Sequence, residues 1–156
     1  MDPGMQRSRG DHGGQGGNLQ PRGPSVAQQQ TPLIIDIEAS GFAADSYPIE
    51  VGLALEAGQR YCSLITPASE WTHWCEEAQQ YHHIDRKTLL AHGKTVVEVA
   101  ADLNRLLGDR TVYSDGWVVD QPWLIKLFHQ ARLRQSFRIS PLEMILSEAQ
   151  MNIWHD

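Results

Sequence analysis

The sequence predicts an α/β domain: a mixed five-stranded sheet, an antiparallel three-strand meander plus two further strands, flanked by helices. Three observations carry that prediction. Short strand-like segments follow one another closely between Leu33 and Thr66. Beyond Thr95, strand-like and amphipathic helical segments alternate. The helical segments open on N-terminal capping signals. A meander continued by strands that helices separate gives a mixed sheet with helices on its faces.

The first strand is Leu33-Ile34-Ile35-Asp36-Ile37-Glu38, short and rich in β-branched residues, and Ala39-Ser40-Gly41-Phe42 breaks it. From Pro48 to Glu56, apolar residues alternate at Ile49, Val51, Leu53 and Leu55, which is the period of a strand. Ala57-Gly58 is a turn, and Arg60 to Thr66 pairs back as the third strand. Residues 67–94 carry Trp71, Trp74, Tyr81, His82, His83 and His92 with weak periodicity, and predict a loop with one short helix. Thr95 and Glu98 form a capping box ahead of the stripe Val96, Val99, Ala100, Leu103, Leu106 and Leu107, which Gly108 ends. Thr111 to Ser114 is the fourth strand. Asp120 and Pro122 start a helix with Trp123, Leu124, Leu127, Phe128 and Ala131 on its inner face. Phe137-Arg138-Ile139 is the fifth strand. Ser140, Pro141 and Glu143 predict a last helix running to Trp154.

Residues 1–31 read as a disordered tail ahead of the domain 32–156. The first thirty hold seven of the thirteen glycines, three of the eight prolines and six glutamines. Such a segment buries too little apolar surface to offset its ordering entropy. The tail carries Arg7, Arg9 and Arg22 against Asp2 and Asp11, a net +1, so the remainder of a chain at −6 is −7. That balance excludes a generic basic coat for nucleic acid and leaves room for a carboxylate-lined metal site. No apolar run is long enough to span a bilayer, and the N-terminus has no apolar core for a secretory signal. Cys62 and Cys75 form neither a CxxC pair nor a disulfide framework and read as reduced thiols of a cytoplasmic protein.

Asp36 and Glu38 are the sharpest feature. At i and i+2 on one strand they share a face, within an otherwise apolar segment. Two adjacent carboxylates repel and lose hydration unless a cation compensates, and a hard divalent ion with oxygen ligands does so. The competing reading is a solvated strand end with both acids in water. Asp120 stands where a helix N-cap belongs. Asp115, before Gly116, reads as a turn residue. Glu50 is out of phase with its strand's apolar residues, so it faces either solvent or the same site as Asp36. His82-His83 lies in a loop without the spacing of a zinc site. Trp71, Trp74 and Trp117 serve either as base-stacking platforms or as core edge. There is no GxSxG elbow, P-loop or GxGxxG.

The stretch Ile34 to Phe42, with Asp36-Ile37-Glu38-Ala39-Ser40-Gly41, resembles the first motif of the DEDD 3′–5′ exonucleases, of the DEDDh-like, ribonuclease T and proofreading-exonuclease kind. Pro48-Ile49-Glu50-Val51-Gly52 is similar to the strand that follows in that family. His82-His83-Ile84-Asp85 resembles its HGI-T loop. Tyr113 to Leu124 resembles the second motif, with Asp120 on the third acid. The resemblance implies a ribonuclease H-like fold and two-metal phosphodiester hydrolysis with Mg²⁺ or Mn²⁺. It implies Asp36, Glu38 and Asp120 as catalytic metal ligands, and Ser40, Gly41, Phe42 and His82 as substrate contacts.

The family's last motif, H-x-x-x-x-D on a C-terminal helix, has no match. His155-Asp156 has the residue types but not the spacing. The expectation is therefore a C-terminally truncated member, its final helix missing, with three of the four acids and no base. Its function is expected to be 3′–5′ hydrolysis at single-stranded DNA or RNA 3′ ends. The alternative is a non-catalytic nucleic-acid-binding or protein-interaction domain derived from an exonuclease. No membrane partner is expected, and a homodimer is compatible with the sequence.

Overall fold

The computed structural model describes residues 31–146. Nearly all of the expected tail, most of the expected last helix and His155-Asp156 lie outside the described residues. The elements are β1 (Ile34–Ala39), β2 (Pro48–Ala54), β3 (Arg60–Leu64), α1 (Glu76–His82), α2 (Arg86–His92), α3 (Val96–Leu107), β4 (Thr111–Ser114), α4 (Trp117–Ala131) and β5 (Arg138–Pro141). Single 3₁₀ turns lie at Glu56–Gly58 and Leu142–Met144. No described helix is long and apolar enough to cross a membrane.

The five strands form one sheet in the order β3-β2-β1-β4-β5. The meander β1–β2–β3 is antiparallel, and β4 and β5 run parallel to β1. β1 is thus the central strand, and its alternation decides both faces. Ile35 and Ile37 are buried opposite Leu53 and Val51, and α4 packs on that side against β1, β2, β4 and β5. α3 packs on α4 through its buried stripe Val96, Val99, Ala100, Leu103 and Leu107, and its N-terminus carries the complete Thr95–Glu98 capping box.

Three expectations are corrected. The stretch 67–94 holds two short helices rather than one, because Asp85 caps α2 by accepting the Thr88 backbone N–H at 2.7 Å. α4 begins at Trp117, three residues before Asp120, so Asp120 lies in its first turn and Pro122 inside it. Proline there only removes a bond to the carbonyl of Val118, an exposed residue. Ser140 and Pro141 do not start a helix. They belong to β5, paired with Tyr113 and Ser114, and the ladder outcompetes the cap. Proline is tolerated because β5 is an edge strand.

α2 is fastened to the end of β3 by a close backbone approach. The Thr66 N–H donates to the Lys94 carbonyl at 2.8 Å, and the Thr66 hydroxyl to that of Leu89 at 3.1 Å. Between them sits Gly93, where a Cβ would lie 2.5 Å from both the Leu89 oxygen and the Thr66 nitrogen. Both neighbours are backbone and cannot yield cheaply. Gly93→Ala is expected to destabilise the domain by about 1–3 kcal/mol, as overpacking does. Urea unfolding checks this, and a change below about 0.5 kcal/mol, the usual size for a neutral surface site, would contradict it.

Candidate functional site

The sheet order reverses direction at β1, with the meander on one side and β4 on the other. β1 and β4 pair only at Ile34 and Tyr113, and β1 runs on to Ala39 after β4 has ended at Ser114. The carboxyl ends of strands at such a switch point bound the usual binding crevice of an open α/β sheet. Asp36 and Glu38 lie on this part of β1. Asp115 follows β4 directly, and Asp120 comes from the first turn of α4.

The register settles the two readings of Glu50. Glu38 and Glu50 are directly opposite on β1 and β2, and Asp36 is opposite Gly52. Glu50 therefore faces the same way as Asp36 and Glu38, and both readings hold: the acids share a sheet face that is open to solvent, with Asp36 exposed and Glu38 and Glu50 half-buried. Its out-of-phase position was the signal in the sequence; the hairpin register, which no residue type states, was needed to place it. Asp120 is 3% exposed, so it is buried rather than a solvent-facing cap. Its Oδ2 accepts the Ser114 hydroxyl at 2.5 Å, and that hydroxyl accepts the Gly116 N–H at 3.0 Å. Ser114 thus orients Asp120 across the strand-to-helix turn, a role with no sequence signal of its own.

The electrostatics record crowded negative charge. Partial loss of hydration raises the pKa of Asp36, and Asp115 raises it further, against the Ile37 backbone N–H. Burial likewise raises Glu38, with Asp36 and Glu50 adding to it, and raises Glu50, with Asp36 adding. Burial pushes Asp120 up to about 6, helped by Asp36 and Asp115 and opposed by the Ser114 hydroxyl and the Ile37 N–H. Among the described residues, no three His, Cys, Asp or Glu side chains sit close enough together to hold one ion. By donor type the set suits a hard divalent cation: three carboxylates share one sheet face and a fourth lies on the first turn of α4, and Asp36 raises the pKa of the other three.

Beside the acids opens a cleft of about 250 Å³. β1 contributes Glu38, the β1–β2 loop Gly41 and Phe42, α1 Tyr81 and His82, and α4 Val119 and Trp123. Of the expected substrate contacts, Gly41, Phe42 and His82 line this cleft. Ser40 does not: it is fully buried and closes the base of the loop, accepting the Tyr47 N–H at 3.1 Å. His82 Nδ1 accepts the Ile84 N–H at 3.1 Å, so Nε2 carries the proton of the neutral ring, and Nε2 is buried without a partner. Burial, and then His83, lower the His82 pKa. Trp71 is core, stacked on Tyr47 at 5.4 Å, and Trp74 meets His82 edge-on at 5.6 Å. Neither is a free platform for a base.

No family profile matches this sequence, and no curated protein matches it. Solved structures do match. The zinc-bound complex of E. coli exonuclease I with single-stranded DNA superposes with a TM-score of 0.61 at 16% identity, covering 74% of this chain and 28% of that one. The fold is exonuclease-like. E. coli exonuclease I with a dA16 oligonucleotide gives 0.61 at 15%, covering 73% and 28%, and a product-bound exonuclease I gives 0.62 at 17%, covering 74% and 30%. The chain thus matches less than a third of the length of these structures. The shared architecture is the ribonuclease H-like mixed sheet.

Two outcomes are expected from this geometry. His83 follows His82 in the left-handed region, at φ 59°, where the resembling HGI-T pattern has glycine. His83→Gly should therefore stabilise the fold by about 0.5–1 kcal/mol, since a side chain there is strained. A lower urea midpoint in that variant would contradict it. Asp120 has a folded pKa above its ordinary value of 3.8, so the native state holds the proton more tightly. Its contribution to stability is complete below 3.8 and is lost as pH rises through about 6. Asp36, Glu38 and Glu50 act in the same direction. Unfolding free energies measured from pH 4 to 7 should fall less steeply in Asp120→Asn than in the parent chain, and parallel curves would refute this.

Proposed function

We propose that this chain is a 3′–5′ exonuclease-like protein acting on single-stranded DNA or RNA 3′ ends by Mg²⁺- or Mn²⁺-dependent, two-metal phosphodiester hydrolysis. The observation that supports this reading is the placement of Asp36, Glu38 and Glu50 on one sheet face, with Asp120 on the first turn of α4 coupled by charge to Asp36, at the switch point of an exonuclease-like sheet and beside a cleft with an aromatic rim. The solved exonuclease I complexes with single-stranded DNA and with a zinc ion support it by likeness of fold.

In this reading Asp36, Glu38 and Asp120 hold the ions, with Glu50 adding negative charge. Bound ions supply an acidified water as nucleophile and charge neutralisation at the leaving oxygen. The remaining work falls to the chain itself. Ser114 holds the Asp120 carboxylate in one orientation. Phe42 and Trp123 offer ring faces to terminal bases, since every base stacks. His82 lines the cleft as a neutral ring whose tautomer the Ile84 backbone fixes. Gly41 lets the loop that carries Phe42 pack against Cys75, where a Cβ would lie 3.1 Å from the Cys75 Cβ.

The test is digestion of a 5′-labelled single-stranded oligonucleotide, as DNA and as RNA, with Mg²⁺ or Mn²⁺. The expected result is a ladder shortening from the 3′ end, abolished by chelation. Asp36→Asn should slow it at least about 10²-fold, the scale of losing a group that stabilises transition-state charge. Binding without shortening would instead favour the non-catalytic nucleic-acid-binding alternative. Neither binding nor shortening would remove nucleic acid from the account.

A further inference from the structure

The cleft has two facing walls. One is the β1–β2 loop with Gly41 and Phe42; the other is the α4 stripe of Val119 and Trp123. Lys126 continues that stripe at the i, i+4, i+7 spacing that keeps residues on one helix face. Its ammonium donates to the Ser46 carbonyl and, at 3.4 Å, to the Ala44 carbonyl. No described carboxylate pairs with it. This cation is therefore committed to the backbone of the opposite wall.

The loop is otherwise tied at points that do not face α4. Its base is closed by the Ser40 N–H on the Tyr47 carbonyl at 2.9 Å. Within it, the Ser46 N–H donates to the Ala43 carbonyl at 3.0 Å. Asp45 pairs with His73 at 3.2 Å, with both side chains largely exposed. On the α1 side there is no slack: a Cβ at Gly41 would lie 2.9 Å from Ser46 Oγ and 3.1 Å from Cys75 Cβ. Phe42 stands out from this loop, 87% exposed. The loop is thus wedged against Cys75 on one side and tethered to α4 on the other. Among the described residues, the hydrogen-bonded tether to α4 is Lys126.

We propose that Lys126 is a positioning residue. By holding the Ala44 and Ser46 carbonyls it sets the separation between Phe42 and the Val119–Trp123 wall, and so the affinity of the cleft for a nucleic-acid 3′ end. The proposal rests on the function proposed above for that cleft. A residue that acts this way changes substrate binding through geometry, and its loss falls on KM rather than on kcat.

The experiment uses the full chain with Lys126→Met and Lys126→Arg. Amide exchange of Ser46 reads the tether without any nucleic acid. In the Met variant it should quicken about tenfold or more, as local opening becomes easier, while β2 amides stay unchanged. On the 5′-labelled oligonucleotide the Met variant should raise KM about tenfold and leave kcat within about twofold. The Arg variant, which keeps donors at that place, should restore both readings in large part. Unchanged Ser46 exchange in the Met variant overturns the tether. Faster exchange with unchanged KM, or a fall confined to kcat, overturns the role in binding. A parent chain that binds no oligonucleotide, read by tryptophan fluorescence, removes the nuclease reading and the affinity half of this one. Ser46 exchange then still decides whether Lys126 holds the loop.

Discussion

The alternation of β1 is the constraint on which the rest depends. Every second residue of this strand must be buried under α4, and Ile35 and Ile37 meet that demand. The alternate residues, Asp36 and Glu38, are thereby committed to the other face. A slip of one residue would exchange the two sets, burying both acids against the helix. The hydrophobic side thus fixes the register so firmly that the acidic side can tolerate an arrangement it would not choose. Glu38 opposite Glu50 is a like-charge cross-strand pair, which ordinarily destabilises a sheet. Burial of Ile35, Ile37, Val51 and Leu53 offsets that repulsion.

α4 completes the site because one helix serves three surfaces. Leu124, Leu127, Phe128 and Ala131 anchor it in the core. Its first turn brings Asp120 beside β1, where the positive end of the helix dipole favours a negative side chain. Its outer stripe forms a wall of the cleft. Because the helix is rigid, these roles share one frame. The position of Asp120 relative to Trp123 follows from helical geometry, and Ser114 fixes only the rotation of the carboxylate.

Most of the architecture was legible because it rests on local chemistry. The meander, the capping box at Thr95 and the buried Leu124, Leu127, Phe128 and Ala131 of α4 follow from periodicity and capping alone, while Trp123, expected with them, is half-buried and lines the cleft. The errors lie where tertiary pairing overrode a local signal. Ser140-Pro141 reads as a helix start, and the β4 ladder claims both residues for a strand. Asp120 reads as a cap, yet the chain turns into helix at Gly116 and leaves Asp120 inside the first turn. Within the site, Asp36 and Glu38 were visible because a strand places i and i+2 together. Glu50 was visible only as one of two readings, and Ser114 and Lys126 were not visible, because each acts on a partner that only the register or the fold brings near. Ser40 shows the converse: it sits inside the recognisable motif, and its hydroxyl serves the loop closure.

The sheet order bears on how the molecule comes into being. β1, β2 and β3 are neighbours in sequence, and their hairpins close short loops that cost little entropy. The β1–β4 contact joins Ile34 to Tyr113, roughly eighty residues later. Asp36, Glu38 and Glu50 therefore come together as soon as the meander forms. Asp120 arrives only when the long crossover closes and α4 docks. During synthesis the emerging chain presents three crowded carboxylates and an uncovered apolar face before the helix that covers it has been made. In that interval the unfinished sheet is at its most vulnerable to aggregation.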